Sequence, residues 1–317
     1  VRAVPAREAT PAVAREVTQT VVVDDNRDIE RSELSYDGYV RNRWTGKADA
    51  FERSSASLCG YCTPRLVEAV GVRTGTRVLD IGCGTGTATV LAVGRGAVVT
   101  AVDAEPSMLE RTAAMAPDAV VKHGVLPGLP FEDGTFDAVL GSFVLNQVGD
   151  PAAAIDELYR VLVPGGRIGV TLWPDTPTAL HDLWERVLQA SGAVDPADRP
   201  APPPALPALQ TGPGLVAGLS AAGFEQARYE VVEWTHRIAA EQLWSGPANG
   251  VTMVGAVLAR QTPDVRRAAR EAFDRISPEY LGDDGLLALP VTALIATGTR
   301  PGLPVPAEEG PAVTLRP

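Results

Sequence analysis

Between residues 76 and 300, short runs of apolar and β-branched residues alternate with longer stretches whose apolar positions recur at helical spacing. Such runs, bounded by glycine and acidic residues, predict buried strands, and the 3.6-residue pattern predicts helices packed on them. The first run, Arg77-Val78-Leu79-Asp80-Ile81, leads into the turn Gly82-Cys83-Gly84-Thr85-Gly86 and a helix from Thr87 to Val93. Further strands are predicted from Val98 to Val102, ending at Asp103, and over Val120 to His123, Phe136 to Gly141 and Ile168 to Leu172. Helices are predicted from Pro106 to Met115 and from Pro151 to Leu162; in the second, Ile155, Leu158, Tyr159 and Leu162 form one stripe.

The flanks are less regular. Residues 1–20 read as a mobile tail and 301–317 as a loose, Pro-rich one. From Ile29 to Trp44, Tyr36, Tyr39 and Trp44 fall at roughly helical spacing, and Ala48 to Val70 reads as a second helical region, within which Pro64 marks a helix start. Residues 21–75 therefore predict an N-terminal helical lid. After Trp173, a helix is predicted from Thr178 to Ala190. Asp195 to Gly214, rich in Pro and Ala, predicts an extended connection at the mouth of the site. Ala227 to Trp234 reads as the sixth strand and Ala288 to Gly298 as the last. The helical stretch between them, residues 238–280, is too long for a hairpin turn and predicts a cap.

Composition narrows the class. The chain has 317 residues, a hydrophobic content of 45% and a formal net charge of -11, without a long Lys/Arg cluster. That argues against a nucleic-acid partner, which is bound through basic patches. No apolar run is long enough to span a membrane. Cys59 and Cys62 have C-x-x-C spacing, but no second pair exists to complete a zinc site, so no metal is expected. Two incidental reduced thiols fit a cytoplasmic protein.

The chemistry lies in the turn after the first strand. Glycines let a backbone approach a ligand closely, and a helix N-terminus attracts electron-rich atoms. A dinucleotide loop requires G-x-G-x-x-G, yet Thr87 stands where the third glycine belongs. Asp80, just before the glycines, would repel a pyrophosphate and attract an ammonium group. The run from Val78 to Gly86 resembles the first motif of the class I S-adenosylmethionine (SAM) methyltransferases. Gly124-Val125-Leu126-Pro127-Gly128-Leu129-Pro130-Phe131, Phe136-Asp137-Ala138-Val139 and Arg160-Val161-Leu162-Val163-Pro164-Gly165-Gly166 resemble later motifs of that family.

The resemblance implies an α/β, doubly wound, seven-stranded and mostly parallel sheet, a Rossmann-like methyltransferase fold spanning residues 76–300. It adds N-terminal helices and a helical cap before the last strand. It implies SAM as cofactor, S-adenosylhomocysteine (SAH) as product and a small organic acceptor, expected to be a natural-product intermediate, methylated on O, N or C. Cofactor contacts would come from Asp80, Gly82, Cys83, Gly84, Gly86, Asp103, Ala104, Met108, Val125, Leu126, Ser142 and Tyr39, with Asp103 on the ribose diol. Val125 stands where the family carries an Asp for the adenine amino group. Asn146, Gln147, Trp173 and Trp244 are candidates for the acceptor side, where Trp234, Met253 and Phe273 also suggest an apolar surface. Of the three histidines, His181 and His236 are the candidate bases. Two rivals stay open: a SAM-binding protein of the same fold catalysing a cyclisation, and a non-catalytic ligand binder. Monomer and homodimer are equally open.

Overall fold

The computed structural model describes residues 35–197 and 199–302. The expected tails at 1–20 and 303–317, and the start of the lid region at 21–34, lie outside the described residues. Four short helices come first: α1 (Tyr36–Trp44), α2 (Ala48–Ser54), α3 (Ala56–Gly60) and α4 (Thr63–Ala69). Ser35 caps α1, its Oγ accepting from Gly38 N–H at 3.1 Å. Pro64 opens α4 as expected.

The central domain follows as β1 (Arg77–Ile81), α5 (Thr87–Gly94), β2 (Val98–Asp103), α6 (Pro106–Met115), β3 (Val120–His123) and β4 (Phe136–Ser142). Then come α7 (Pro151–Val161), β5 (Leu162–Leu172), α8 (Ala179–Ser191), α9 (Leu206–Leu209), α10 (Gly212–Ala221) and β6 (Glu225–Ile238). The cap is α11 (Ala240–Ala248), α12 (Thr252–Ala259) and α13 (Pro263–Ile276), and β7 (Leu287–Thr299) closes the sheet.

The seven strands lie in the order β3-β2-β1-β4-β5-β7-β6. All pairs from β3 to β5 are parallel, while β7 runs antiparallel to both its neighbours. Strand order reverses between β1 and β4, which opens a crevice beyond their carboxyl ends. Strands buried on both faces are nearly all apolar, as Val78, Leu79, Ala138, Val139, Leu140, Ile168 and Val170 illustrate. One core lies under α7 and α10, with Ile155, Leu158, Leu215 and Leu219; the opposite one lies under α4 and α5, with Leu66, Val67 and Ala92.

Two features differ from the sequence reading. The stretch from Asp195 to Gly214 is not wholly extended, nor is it confined to the mouth of a site. It contains α9 and the start of α10, whose Leu206, Leu209, Leu215 and Leu219 pack into the core. Seven prolines and several alanines mask this amphipathic spacing. Second, β6 continues four residues past Trp234, pairing with β7 as far as Ile238 with Leu287. Because β5 ends at Leu172 opposite Leu294, residues 287–293 of β7 pair with β6 alone. This two-stranded ribbon extends past the carboxyl end of β5. It delivers the cap to the crevice side, where Ile238, Leu287 and Leu289 pack with Leu183, Val187 and Phe273.

Candidate functional site

A cavity of about 690 Å³ fills the crevice. Its floor is the end of β1 and the glycine turn. Gly82 has φ +65°, and a Cβ there would lie 2.6 Å from Val144 Cγ2, so both the left-handed backbone and the close approach demand glycine. The turn is tied to β2 by Asp103, whose Oδ2 accepts from Gly84 N–H at 2.9 Å and whose Oδ1 accepts from Glu105 N–H at 3.0 Å. Asp103 is thus a strut for the loop as well as a cavity wall. Glu105, which the sequence reading passed over, caps α6 through Met108 N–H at 3.1 Å and reaches Gly46 N–H of the lid region at 3.1 Å. An acid directly before Pro106 was the available signal.

Asp80 is buried beneath the same turn. Its Oδ2 accepts from Thr89 Oγ1 at 2.6 Å, while Oδ1 is buried without a partner. Burial pushes this carboxyl up to about 6, helped by the nearby Asp103 and opposed by the Thr89 hydroxyl. Burial likewise raises Asp103. Asp80 borders a recess of about 50 Å³ that shares Gly82, Gly84 and Ser142 with the main cavity. An unpartnered carboxylate oxygen, in a place where negative charge is costly, suits a cationic ligand group.

Most expected contacts converge here. Gly82, Gly84, Asp103, Ala104, Met108, Val125, Leu126, Ser142, Asn146, Gln147, Trp173 and His181 line the cavity. Cys83 borders only the recess. Gly86, at φ +89°, starts α5 and packs on Thr112 without lining either space. Tyr39 does not reach the cavity: Asp37, Val40, Arg41 and Trp44 share the inward face of α1, and Tyr39 falls opposite. Trp244 belongs to the cap interior, 5.2 Å from Phe273 and under the Arg270 guanidinium. Trp234 stacks on Tyr61 at 4.5 Å, and of Trp234, Trp244, Met253 and Phe273 only Met253 joins Trp173 in lining the cavity.

The two candidate bases fare differently. His236 lies within the extended β6, opposite Leu289, buried with Nε2 unpartnered and outside the cavity lining. His181 stands at the cavity rim in the first turn of α8. Thr178 N–H donates to its Nδ1 at 3.2 Å, and Thr178 Oγ1 lies 2.9 Å from the same nitrogen. Partial burial lowers its pKa. The ring is therefore neutral at neutral pH with its proton on Nε2, a donor rather than a base.

The far wall is aromatic. Phe143, held at φ 54° by bonds from its N–H to Thr171 O and Oγ1, stacks on Trp173 with centroids 4.1 Å apart. Leu180, Trp184, Val254 and Val291 continue this surface. Among the described residues no cluster of His, Cys, Asp or Glu is arranged to hold a metal ion, and no helix is long and apolar enough to cross a membrane.

This geometry agrees with what related sequences show. The "Methyltransferase domain" profile matches residues 79–170, and that of the "Protein-L-isoaspartate(D-aspartate) O-methyltransferase" family matches residues 13–119. A demethylmenaquinone methyltransferase of Clavibacter sepedonicus is 39% identical over 168 residues, 49% of this chain and 67% of that protein. The chain belongs to the class I SAM-dependent methyltransferases. A Staphylococcus aureus demethylmenaquinone methyltransferase is 43% identical over 121 residues, and the match spans only 49% of that protein and 36% of this chain. The YcgJ protein of Bacillus subtilis superposes with a TM-score of 0.48 at 21% identity, covering 77% of this chain and 99% of that one. The segment of this methyltransferase that the domain profile matches, residues 79–170, carries the glycine turn, Asp103 and most of the strands β1 to β5.

Proposed function

We propose that this SAM-dependent methyltransferase acts on a small, largely apolar, aromatic acceptor, with SAH as the other product. The observation carrying this reading is the continuity of one cavity of about 690 Å³ from the glycine turn and Asp103 to the Phe143–Trp173 wall. Asp80, at the adjoining recess, would take the cofactor ammonium through its unpartnered Oδ1. Asp103 would take the ribose diol, and Ala104, Met108, Val125 and Leu126 would enclose the adenine. SAM supplies an already activated methyl group on a sulfonium. The protein's part is then to align the acceptor in line with that bond and exclude water, which can contribute on the order of 7–11 kcal/mol. The relatives named for demethylmenaquinone favour a planar, quinol-like acceptor. The rim donor His181 Nε2–H suits a ring oxygen on such a molecule.

The test has two steps. Calorimetry with SAH should show binding to the purified chain. Methyl-labelled SAM with 1,4-naphthalenediol and related phenols should then pass label to the organic acceptor. Absence of heat with SAH overturns the cofactor reading, and binding without label transfer to any member of the panel overturns the acceptor class.

A further inference from the structure

The acceptor end of the cavity contains a guanidinium, that of Arg43, that no carboxylate among the described residues neutralises. Arg43, near the end of α1, has its guanidinium held between the cap and the segment after β4. Nη1 donates to Met253 Sδ at 3.0 Å, and Nη2 donates to Gln147 Oε1 at 2.5 Å. Nε is buried without a partner, and among the described residues no carboxylate pairs with this arginine. Burial lowers its pKa, yet a guanidinium stays protonated. A thioether and a neutral amide are weak compensation for a half-buried cation, and its buried Nε lacks any partner.

The surroundings specify what completes it. Gln147 Oε1 also accepts from Trp44 Nε1 at 3.1 Å, so the amide oxygen is occupied twice and the amide nitrogen remains as a donor. The guanidinium lies 5.2 Å over the Trp44 ring, which fixes its plane. Asp37 also lines the cavity, but its carboxylate accepts from Gly149 N–H at 2.6 Å. Asn146 Oδ1, buried and unpartnered, is the neighbouring acceptor and suits a hydroxyl. Of the other acids, Asp103 and Glu105 line the cavity from the end of β2, Glu185 lines it from α8, and Asp80 lies at the recess below the end of β1; none of them pairs with Arg43. Both Arg43 anchors, Met253 on α12 and Gln147 after β4, come from other elements.

We propose that Arg43 is the receptor for an anionic oxygen of the acceptor, a carboxylate or acidic phenol, so that the enzyme selects acidic aromatic acceptors over their neutral counterparts. This rests on the methyltransferase reading above. A planar guanidinium that lines the cavity recognises such a group by charge-assisted hydrogen bonds, and Gln147 fixes its orientation.

The experiment titrates 1-hydroxy-2-naphthoate and its methyl ester into the SAH-saturated protein, followed by calorimetry and tryptophan fluorescence. The wild type should favour the acid by about tenfold or more, the scale of one charge-assisted pair. Arg43→Met should bring the two probes to near-equal affinity, and Arg43→Lys should keep part of the preference. SAH affinity and the thermal midpoint should stay near those of the wild type in both variants. Lack of acid preference in the wild type, or its persistence in Arg43→Met, overturns the assignment. So does a loss of SAH affinity in Arg43→Met with methylthioadenosine binding intact, which would give Arg43 to the cofactor carboxylate instead. Failure of the wild type to bind SAH would overturn the methyltransferase site itself, a result distinct from these.

Discussion

At the scale of single residues, Asp80 and His181 have the most testable chemistry. Asp80 titrates near 6 in the folded chain against an ordinary value near 3.8. Between those values the folded state holds a proton that the unfolded state has released. Its contribution to stability therefore falls as pH rises from about 4 to about 6, and the cost persists above that window. Asp80→Asn removes a buried charge but also the group facing the ammonium. The cofactor-free variant should melt above the wild type at about pH 8, while SAH binds on the order of 10- to 100-fold more weakly, as for loss of a buried charged partner. Wild-type SAH affinity should itself weaken as pH drops through about 6, with proton release visible as a buffer-dependent heat. His181 makes a different prediction. With Nδ1 committed to Thr178, it has no free lone pair to accept a proton. His181→Gln can keep the helix-capping contact, since glutamine is at home three residues after a Thr cap. The kcat–pH profile of His181→Gln should match the wild-type shape, with KM alone rising. Loss of an ionisation from the profile would restore the base role.

At the scale of elements, the site is a strand-end crevice roofed from two distant parts of the chain. The lid helices α1 to α3 and the cap helices α11 and α12 meet over it. They pack tightly at Gly246, where a Cβ would lie 2.7 Å from Ser54 Oγ and 2.9 Å from Ser54 Cβ. Ser54 is buried and its hydroxyl already donates to Ala50 O at 2.7 Å, so it has little freedom to move. Gly246→Val should cost about 1–3 kcal/mol of overpacking. More tellingly, it should part the cap from the lid, raising the acceptor KM several-fold while SAH affinity, set by β1 and β2, changes little. Equal losses for both ligands would show the roof to be continuous with the cofactor floor. The core elements were legible because buried parallel strands and amphipathic helices write their period into the sequence, as from Val78 to Leu172. The roof was only half legible. Its helical character showed, but Tyr39 and Trp244 were assigned to the wrong side because aromatic spacing alone does not set helix phase. Arg43 was missed because an arginine beside a tryptophan looks like any exposed helix residue until its lack of an acidic partner is seen. His236 was misplaced because the sixth strand runs on where alternating exposed positions, Glu233, Thr235 and Arg237, looked like the end of the sheet.

At the scale of the whole molecule, charge is distributed so that the cofactor and the acceptor make opposite demands. The chain carries a formal net charge of -11, and Asp80, Asp103 and Glu105 concentrate negative charge at the ends of β1 and β2. The methyl donor has a net positive charge from its sulfonium, whereas its demethylated product has none. The long-range field of the protein therefore distinguishes the two before any contact forms, attracting the donor and leaving the product nearly indifferent. Local discrimination works the other way at Arg43, whose single cation must recruit an acceptor against that same field. Salt separates these effects because it screens interactions beyond about 10 Å at 0.1 M and leaves buried contacts largely intact. Raising ionic strength from about 20 to about 500 mM should slow SAM association several-fold and leave SAH association almost unchanged. Over the same range an acidic aromatic probe should associate faster, since the repulsion it meets on approach is screened. Stopped-flow tryptophan fluorescence, reported by Trp44 and Trp173 in the cavity wall, reads all three rates on one sample. Parallel salt dependence for SAM and SAH would mean that the net charge of the chain is not felt at the crevice, and that recognition of the donor rests on the buried carboxylates alone.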